Sequence, residues 1–401
     1  MEGMTTLSRA QFESAARITT PAEAAALLLC YPHYRTLGDV LHSVSGDPRI
    51  KELLVTGFLR WYPESRTDAL DRKARNWLSG RCQNLTKEDA FILSHILELP
   101  LDKTDALLKM TAGEGIHWRD PEDILWSYAI VHHLEPARTR ALLEQAKTFL
   151  PAQEPTAAPP SQIYTAQVFD QLEAFLYGSE AELLSFLSAR RQMLGSFHNT
   201  AHHIFSQYME LLEQGFSDSD VEAYFEAMTK QAARKLKAHP EMTGYAAMYQ
   251  PKSISSLDIL ETYLHRSLVP TRSNRSEQKS DPFFAIRNSI RQSWPNECML
   301  SRMKSRQIDV SRKVLILLFL ATDGSNSAYA ESDEEELLSR EDIFLDVYTR
   351  MNLMLHSCGF PKLDPRNPFD WMVLFCISSG DSWEIDDRLH AMLTEMFPEA
   401  S

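Results

Sequence analysis

The chain has 401 residues, of which 44% are hydrophobic, and its formal net charge is −14. This length predicts two or three domains, and the scarcity of glycine, with 14 in all, favours helices over sheets. The negative charge argues against a protein that binds nucleic acid or anionic membranes through overall attraction, although it allows a local basic face.

The cysteines and the hydropathy pattern predict the cellular location of the protein. Five cysteines are scattered without a C-x-x-C pair, which is typical of reduced thiols in a cytoplasmic protein. The first residues lack the basic and apolar regions of a signal peptide. The longest apolar run, Val314 to Ala321, is far shorter than a membrane span. We therefore predict a cytoplasmic protein without a membrane segment.

Helical signals follow one another from residue 20 to about residue 146. Thr20 and Pro21 predict a capped helix start for the sequence PAEAAALLL. A helix over Asp68–Leu78 ends at the stop signal Ser79-Gly80. Two more helices are predicted between these, over Leu37–Val44 and Arg49–Trp61. Together these signals predict a first module over residues 1–150.

A run of prolines marks the clearest domain boundary. The sequence PAQEPTAAPP at residues 151–160 predicts an extended linker. A central helical bundle over residues 161–269 and a C-terminal domain over residues 281–401 follow. Their predicted helices cover Glu180–His203, Ile204–Gln214, Asp218–Ala238 and Ser311–Ala321. Because no stretch shows sustained β alternation, the predicted class is all-α.

One passage occurs twice and aligns without a gap. Residues 105–130 read DALLKMTAGEGIHWRDPEDILWSYAI, and residues 352–377 read NLMLHSCGFPKLDPRNPFDWMVLFCI. A shorter pair precedes it, TKEDAF at residues 86–91 and SREDIF at residues 339–344, and each member opens on an N-cap residue. Such duplication predicts a modular helical protein.

The recurring polar residues are of the types that begin helices. Asp120 and Asn367 are N-cap types, and each is followed by proline at the first helical position. Asp123 and Asp370 stand at the third helical position, where a capping box carries an acidic or amide side chain. The duplicated passage therefore predicts capped helices rather than a chemical site.

Residues 71–146 carry a turn, a capped helix and a leucine pair in a fixed order. Trp77, Leu78 and Gly80 form a W-L-x-G turn, Thr86–Leu97 follows as a capped helix, and Leu107-Leu108 closes the series. This order resembles the second half of repressor-type helix-turn-helix transcriptional regulators. The sequence GIHWRDPEDILWSYAI that follows resembles the helical extension of related regulators from mobile elements of gut Firmicutes. The resemblance implies a bacterial DNA-binding regulator with a recognition helix ending at the turn.

A basic cluster coincides with the helix that the resemblance implies as the recognition helix. Five residues suited to DNA contact lie close together there: Arg72, Lys73, Arg75, Asn76 and Arg81. Arginine and asparagine read guanine and adenine edges by paired hydrogen bonds, and arginine or lysine neutralises phosphate. We predict that this segment contacts double-stranded DNA. The rest of the chain would receive a signal, or bind a protein partner or a second copy of the chain.

The preceding segment departs from the family pattern. A long apolar helix over Arg49–Trp61 and the connector YPESRTDA replace the two short helices and tight turn that position a recognition helix. A protein-interaction scaffold that keeps a degenerate helix-turn-helix fold is therefore the alternative.

The remaining chemical motifs do not favour an enzyme. His198 and His202 share a helical face, as metal ligands do, but no H-E-x-x-H pattern or third ligand accompanies them. A metal-dependent enzyme built on them is a third class. Cys358 lies near His356 without a defined base, and Gly359 after it is typical of a helix end. No phosphate loop, dinucleotide fingerprint or nucleophile elbow occurs. We predict a non-enzymatic protein with no metal site and no cofactor.

Overall fold

A computed structural model describes most of the chain. It covers residues 9–10, 13–14, 17–18, 20–30, 36–80, 85–111, 114–150, 172, 174–195, 197–214, 256–271, 281, 283–322, 340–378 and 385–398. All regular secondary structure in these ranges is helical, which confirms the predicted all-α class. None of the helices in them is both long and apolar enough to cross a membrane. The predicted linker 151–160, the predicted helix Asp218–Ala238, Ser339 and Arg81 lie outside the described residues.

The first half of the chain forms short helices separated by tight connections. Their bounds are α1 Pro21–Leu29, α2 Leu37–Ser45, α3 Ile50–Trp61, α4 Thr67–Leu78, α5 Lys87–Ile96, α6 Leu101–Thr111, α7 Pro121–Val131 and α8 Pro136–Leu143. The predicted start of α1 is confirmed, because the Thr20 hydroxyl accepts the N–H of Glu23 at 3.2 Å. The stop after α4 is also confirmed, with Gly80 at a φ of 68°. Only glycine adopts this left-handed conformation without strain.

The second half continues as helices α9 to α17. Their bounds are α9 Glu180–Ala189, α10 Asn199–Gln214, α11 Ser256–Tyr263, α12 Phe284–Arg291, α13 Glu297–Lys304, α14 Arg312–Ala321, α15 Arg340–Ser357, α16 Pro368–Ser378 and α17 Ile385–Met396. The single helix predicted over Glu180–His203 is wrong, because the chain leaves the helix at Arg190. A tertiary contact competes there: the N–H of Gly195 donates to the Arg119 carbonyl at 3.0 Å.

Three hydrophobic cores organise these helices. Helices α2 to α6 enclose the first core, which contains Phe58, Trp77 and Phe91. Helix α7 lies between two cores, since Trp126 packs into the first core and Leu125 into a small middle core shared with α9. Helices α10 to α17 form the C-terminal core.

Helix α1 belongs to the C-terminal core, although it comes from the residues predicted as the first module. Its Ala24, Ala25 and Leu28 are buried there, and it packs against α16 and α17. The two ends of the described chain therefore share one core.

The gapless repeat has the same capped geometry in both copies. The Asp120 carboxylate accepts the N–H of Glu122 at 2.9 Å, and the Asn367 amide oxygen accepts the N–H of Phe369 at 2.9 Å. The predicted N-caps of α7 and α16 are thereby confirmed. Proline is the first residue of both helices, where its missing N–H has no cost.

A second pair of hydrogen bonds fixes the connector in front of each capped helix. The Asp105 carboxylate accepts the N–H of Ile116 at 2.9 Å, and the aligned Asn352 amide oxygen accepts the N–H of Leu363 at 2.9 Å. The aligned side chains differ in charge but accept from the same backbone position. This part of the connector is therefore held in the same way in both copies, by a carboxylate in the first and by an amide in the second.

In the structure, the helix that Thr86 caps corresponds to a different helix from the one that the shorter repeat pair predicted. Thr86 caps α5 by accepting the N–H of Asp89 at 3.0 Å, as predicted. Its counterpart is Ser311, which caps α14 by accepting the N–H of Val314 at 3.4 Å. The predicted match of residues 86–91 with 339–344 is therefore wrong, because Phe344 lies within α15, the counterpart of α6. The duplication runs from α5–α6–α7 to α14–α15–α16.

Candidate nucleic-acid interface and buried polar centres

Each copy of the repeat buries an aspartate that makes an ion pair. Asp123 lies 2.7 Å from the Lys87 ammonium, and its carboxylate also accepts the N–H of His117 at 2.7 Å. Burial raises the pKa of Asp123 to about 7, against the attraction of Lys87. The lysine is the first residue of α5, and the aspartate is in the first turn of α7. The pair therefore joins the starts of two helices.

In the second copy an arginine replaces the lysine. Arg312, the first residue of α14, donates two hydrogen bonds to Asp370, at 2.8 and 2.7 Å. It donates two more to the carbonyls of Pro361 and Lys362, at 2.8 and 3.1 Å. The Arg312 and Asp370 side chains are only 4% and 2% exposed, respectively. Such an enclosed pair orders the connector and is closed to a ligand.

The aspartates at the third helical position bond to the connector and to a basic side chain instead of completing a capping box. Asp123 and Asp370 were expected to belong to capping boxes, whose side chain accepts the N–H of the cap residue. Instead Asp123 accepts from His117 and Asp370 accepts from Asp364, each three residues before the cap, and both meet a basic partner. Lys87 and Arg312 were missed, although each directly follows an N-cap hydroxyl residue in the sequence. That shared position is the signal that could have identified them.

Two stacked histidines form a polar junction between the first module and the C-terminal core. The rings of His117 and His198 stack with centroids 4.0 Å apart. His198 Nδ1 lies 2.6 Å from the Asp309 carboxylate, which also accepts the His198 backbone N–H. Because a carboxylate only accepts, Nδ1 carries the proton. Burial, together with the nearby His198, holds the pKa of His117 well below its usual range.

Contacts within the junction engage the His198 side chain. Its Nδ1 is occupied by Asp309, and Phe360 packs against its ring at a centroid distance of 4.7 Å. Within the part of the chain that the structure describes, no group of three or more His, Cys, Asp or Glu side chains could hold a metal ion. The spacing in the sequence suggested that His198 pairs with His202. In the structure the His198 side chain contacts Asp309, His117 and Phe360.

The thiol near His356 is buried. Burial raises the pKa of Cys358 to about 12, so the thiol stays protonated at neutral pH and is a poor nucleophile. Gly359 ends α15 at a φ of 81°, which confirms its expected role as a helix terminator.

Helix α4 carries the residues predicted to contact DNA, and its faces are clearly divided. Leu70, Ala74 and Trp77 are buried against α2 and α3. Arg72 and Arg75 are exposed on the opposite side, and Asn76 is half-buried. The outer face of α4 therefore brings together two of the predicted arginines.

Lys73 is engaged inside the module. Its ammonium lies 2.7 Å from the Asp89 carboxylate on α5. It also lies over the Phe58 and Trp77 rings, at 5.2 and 5.0 Å from their centroids. The cation thus ties α4 to α3 and α5, which sets how far the outer face of α4 projects.

Arg75 has an acidic neighbour on its own helix. Its guanidinium lies 2.8 Å from Asp71, which also pairs with Lys51 at 3.2 Å. The hydrogen bond from Lys51, helped by Arg75, lowers the pKa of Asp71. An exposed ion pair of this kind contributes little stability, so its arginine can exchange the carboxylate for another anion at small cost.

Comparison of the chain with protein-family models, curated proteins and solved structures gives no match. The resemblance to helix-turn-helix regulators thus rests on the residues quoted for it and stays a prediction.

Proposed function

We propose that this chain is a non-enzymatic bacterial transcriptional regulator that contacts double-stranded DNA through the outer face of α4. One observation carries the proposal: α4 packs its apolar residues inward and leaves Arg72 and Arg75 exposed on the other side. A helix held this way can enter a major groove with both guanidinium groups forward.

The roles within the predicted cluster differ. Arg72 and Arg75 would supply the DNA contacts, as phosphate partners or as readers of guanine, and Asn76 could read adenine. Lys73 would orient the helix through Asp89, because its ammonium is already paired at 2.7 Å. The overall charge of −14 would keep the chain off DNA except where this local basic face meets it.

The test is the salt dependence of DNA binding. Wild type, Arg72→Ala/Arg75→Ala and the control Lys103→Ala/Lys147→Ala would be compared by fluorescence anisotropy with a DNA duplex from the region upstream of the coding sequence. The control removes two exposed cations of the same module. Loss of two phosphate contacts reduces the slope of log K against log salt by about 1.8. Equal slopes for the two double variants would refute the α4 interface.

An exposed apolar surface favours a second candidate, a protein-interaction function through self-association. Leu211 on α10 and Met354 on α15 line one groove, and the neighbouring Leu353 is 62% exposed. Apolar side chains exposed beside a groove are typical of protein interfaces. Sedimentation velocity of wild type and Leu353→Asp tests this, because a dimer built on this surface dissociates in the variant. A wild-type monomer at high concentration excludes it.

A further inference from the structure

The duplication extends upstream, to the helix that carries the proposed DNA contacts. Helices α4 and α13 end in the same way. The Ser79 hydroxyl donates to the Asn76 carbonyl at 3.3 Å, and the Ser305 hydroxyl donates to the Arg302 carbonyl at 3.3 Å. A left-handed residue follows each serine, Gly80 in the first copy and Arg306, with a φ of 54°, in the second. Helix α13 is thus the counterpart of α4.

Burial along the two helices supports this alignment. The inward positions Ala74 and Trp77 correspond to Leu300 and Met303, and all four are buried. By the same alignment, Arg72 and Arg75 of α4 correspond to Cys298 and Ser301 of α13, and all four are exposed.

The two positions of the Lys73–Asp89 ion pair are apolar in the second copy. Where Lys73 pairs with Asp89 in the first copy, the aligned residues are Met299 and Val314, which belong to the C-terminal core or pack against it. The second copy therefore keeps the helix arrangement of the first but lacks an ion pair at the positions of Lys73 and Asp89.

The segment that contains α12 and α13 is locally basic within an acidic chain. Residues 283–307, which include α12 and α13, hold five basic residues and one acidic residue. Arg302 and Lys304 are exposed on α13, and Lys304 pairs with Glu213 at 2.8 Å in a solvent-exposed contact. Because such a pair contributes little stability, a phosphate can replace the carboxylate.

We propose that α13 is a second contact for double-stranded DNA, with Arg302 and Lys304 on the phosphate backbone. The inference rests in part on the proposed function, since it extends the DNA interface from one copy to both. Cationic side chains beside the hydroxyls of Ser301 and Ser305 are typical of phosphate contacts, which position a protein on the duplex. Both helices would then contribute phosphate contacts to the same duplex.

Three variants of the full chain test the proposal: Arg302→Ala/Lys304→Ala, Arg72→Ala/Arg75→Ala and the combination of all four substitutions. The probe is a fluorescein-labelled 30-bp duplex of mixed sequence, titrated between about 50 and 200 mM KCl, where phosphate contacts dominate. Each pair of substitutions should lower the salt slope by about 1.8, and affinity at 0.1 M salt should fall on the order of 60-fold.

Glu213→Gln is the matched control for α13. It breaks the same ion pair with Lys304 but keeps the cation, so it should bind DNA at least as tightly as wild type. Loss of binding in both Glu213→Gln and Arg302→Ala/Lys304→Ala would trace the effect to the fold and overturn the inference. Circular dichroism of each variant checks that helix content is unchanged.

The outcomes separate this inference from the function on which it builds. If only the α4 variant weakens binding, the inference is wrong and the α4 interface stands. If only the α13 variant weakens binding, the inference stands and the α4 interface is wrong. If wild type does not bind the duplex at 50 mM salt, both are overturned.

Discussion

Neutralising the buried aspartate of the second copy should destabilise the C-terminal core more than any surface charge change. Asp370→Asn keeps the size of the side chain but leaves the Arg312 guanidinium, which is 4% exposed, without its counterion. Removing one partner of a buried pair costs about 3–5 kcal/mol, because the remaining charge stays desolvated. Urea unfolding would show this as a midpoint lower by roughly 1–5 M, given m values of about 1–3 kcal/mol per M.

A matched control lies on the same connector. Asp364 pairs with Arg366 at 2.6 Å, and both side chains are substantially exposed. Asp364→Asn should therefore change the free energy of unfolding by less than about 1 kcal/mol. Trp371, the neighbour of Asp370 in the sequence, is buried, so it contributes to the fluorescence change when this core unfolds.

A double replacement distinguishes a lost charge partner from a damaged shape. Arg312→Met/Asp370→Leu removes both charges, and buried pairs replaced by apolar residues often keep or gain stability. We expect the double variant to be more stable than Asp370→Asn. The reasoning is refuted if Asp370→Asn unfolds within about 1 kcal/mol of wild type, because the pair would then not be desolvated as its burial indicates.

Three other predictions follow from the polar centres. Burial depresses the pKa of His117, so below about pH 6.5 the unfolded chain binds a proton that the folded chain does not, and acid favours unfolding by up to about 1.4 kcal/mol per pH unit. Urea unfolding at pH 7 and pH 5 should therefore show a smaller loss for His117→Phe than for wild type or the exposed control His203→Gln; equal losses would contradict this. Lys73→Met should cost about 1 kcal/mol by leaving Asp89 without its partner, while Lys73→Met/Asp89→Val should recover thermal stability by copying the second unit, and no recovery would contradict the alignment. Cys358 should resist alkylation in native protein at pH 8 and react after unfolding, which peptide mass spectrometry can follow; rapid native labelling would show that the thiol is accessible.

Features specified by neighbouring residues could be predicted from the sequence. The start of α1 needs only Thr20 and Pro21, since a hydroxyl cap and a proline at the first position act within one turn. The caps of α7 and α16 follow the same rule, so Asp120 and Asn367 were correctly assigned. Local chemistry is sufficient wherever the partner lies a few residues away.

The buried ion pairs could not be predicted in the same way. Asp123 has the position of a capping-box residue, and the sequence does not show that its partner Lys87 reaches it from another helix. The His198–Asp309 contact joins residues still further apart in the chain. Such contacts depend on how the helices pack, which a local pattern does not encode.

The predicted DNA contacts show a related limit. Lys73 and Arg72 are adjacent and both basic, yet Lys73 points toward Asp89 on α5 while Arg72 is exposed. Helical spacing separates their directions, but only the position of Asp89 explains why a charged residue faces inward. Sequence proximity alone therefore overstated the size of the basic face.

The placement of α1 has a consequence for how the chain folds during synthesis. Its Ala24 and Leu28 are buried against helices that include α17, which leaves the ribosome far later. At about 5–20 residues per second, synthesis of the intervening chain takes roughly 20–70 s. Until α12, which also packs against α1, has been made, the apolar side of α1 lacks these partners, while α2 to α6 can already fold around their own core. The nascent chain therefore exposes an apolar helix face that a chaperone can shield until the partner helices of α1 have been made.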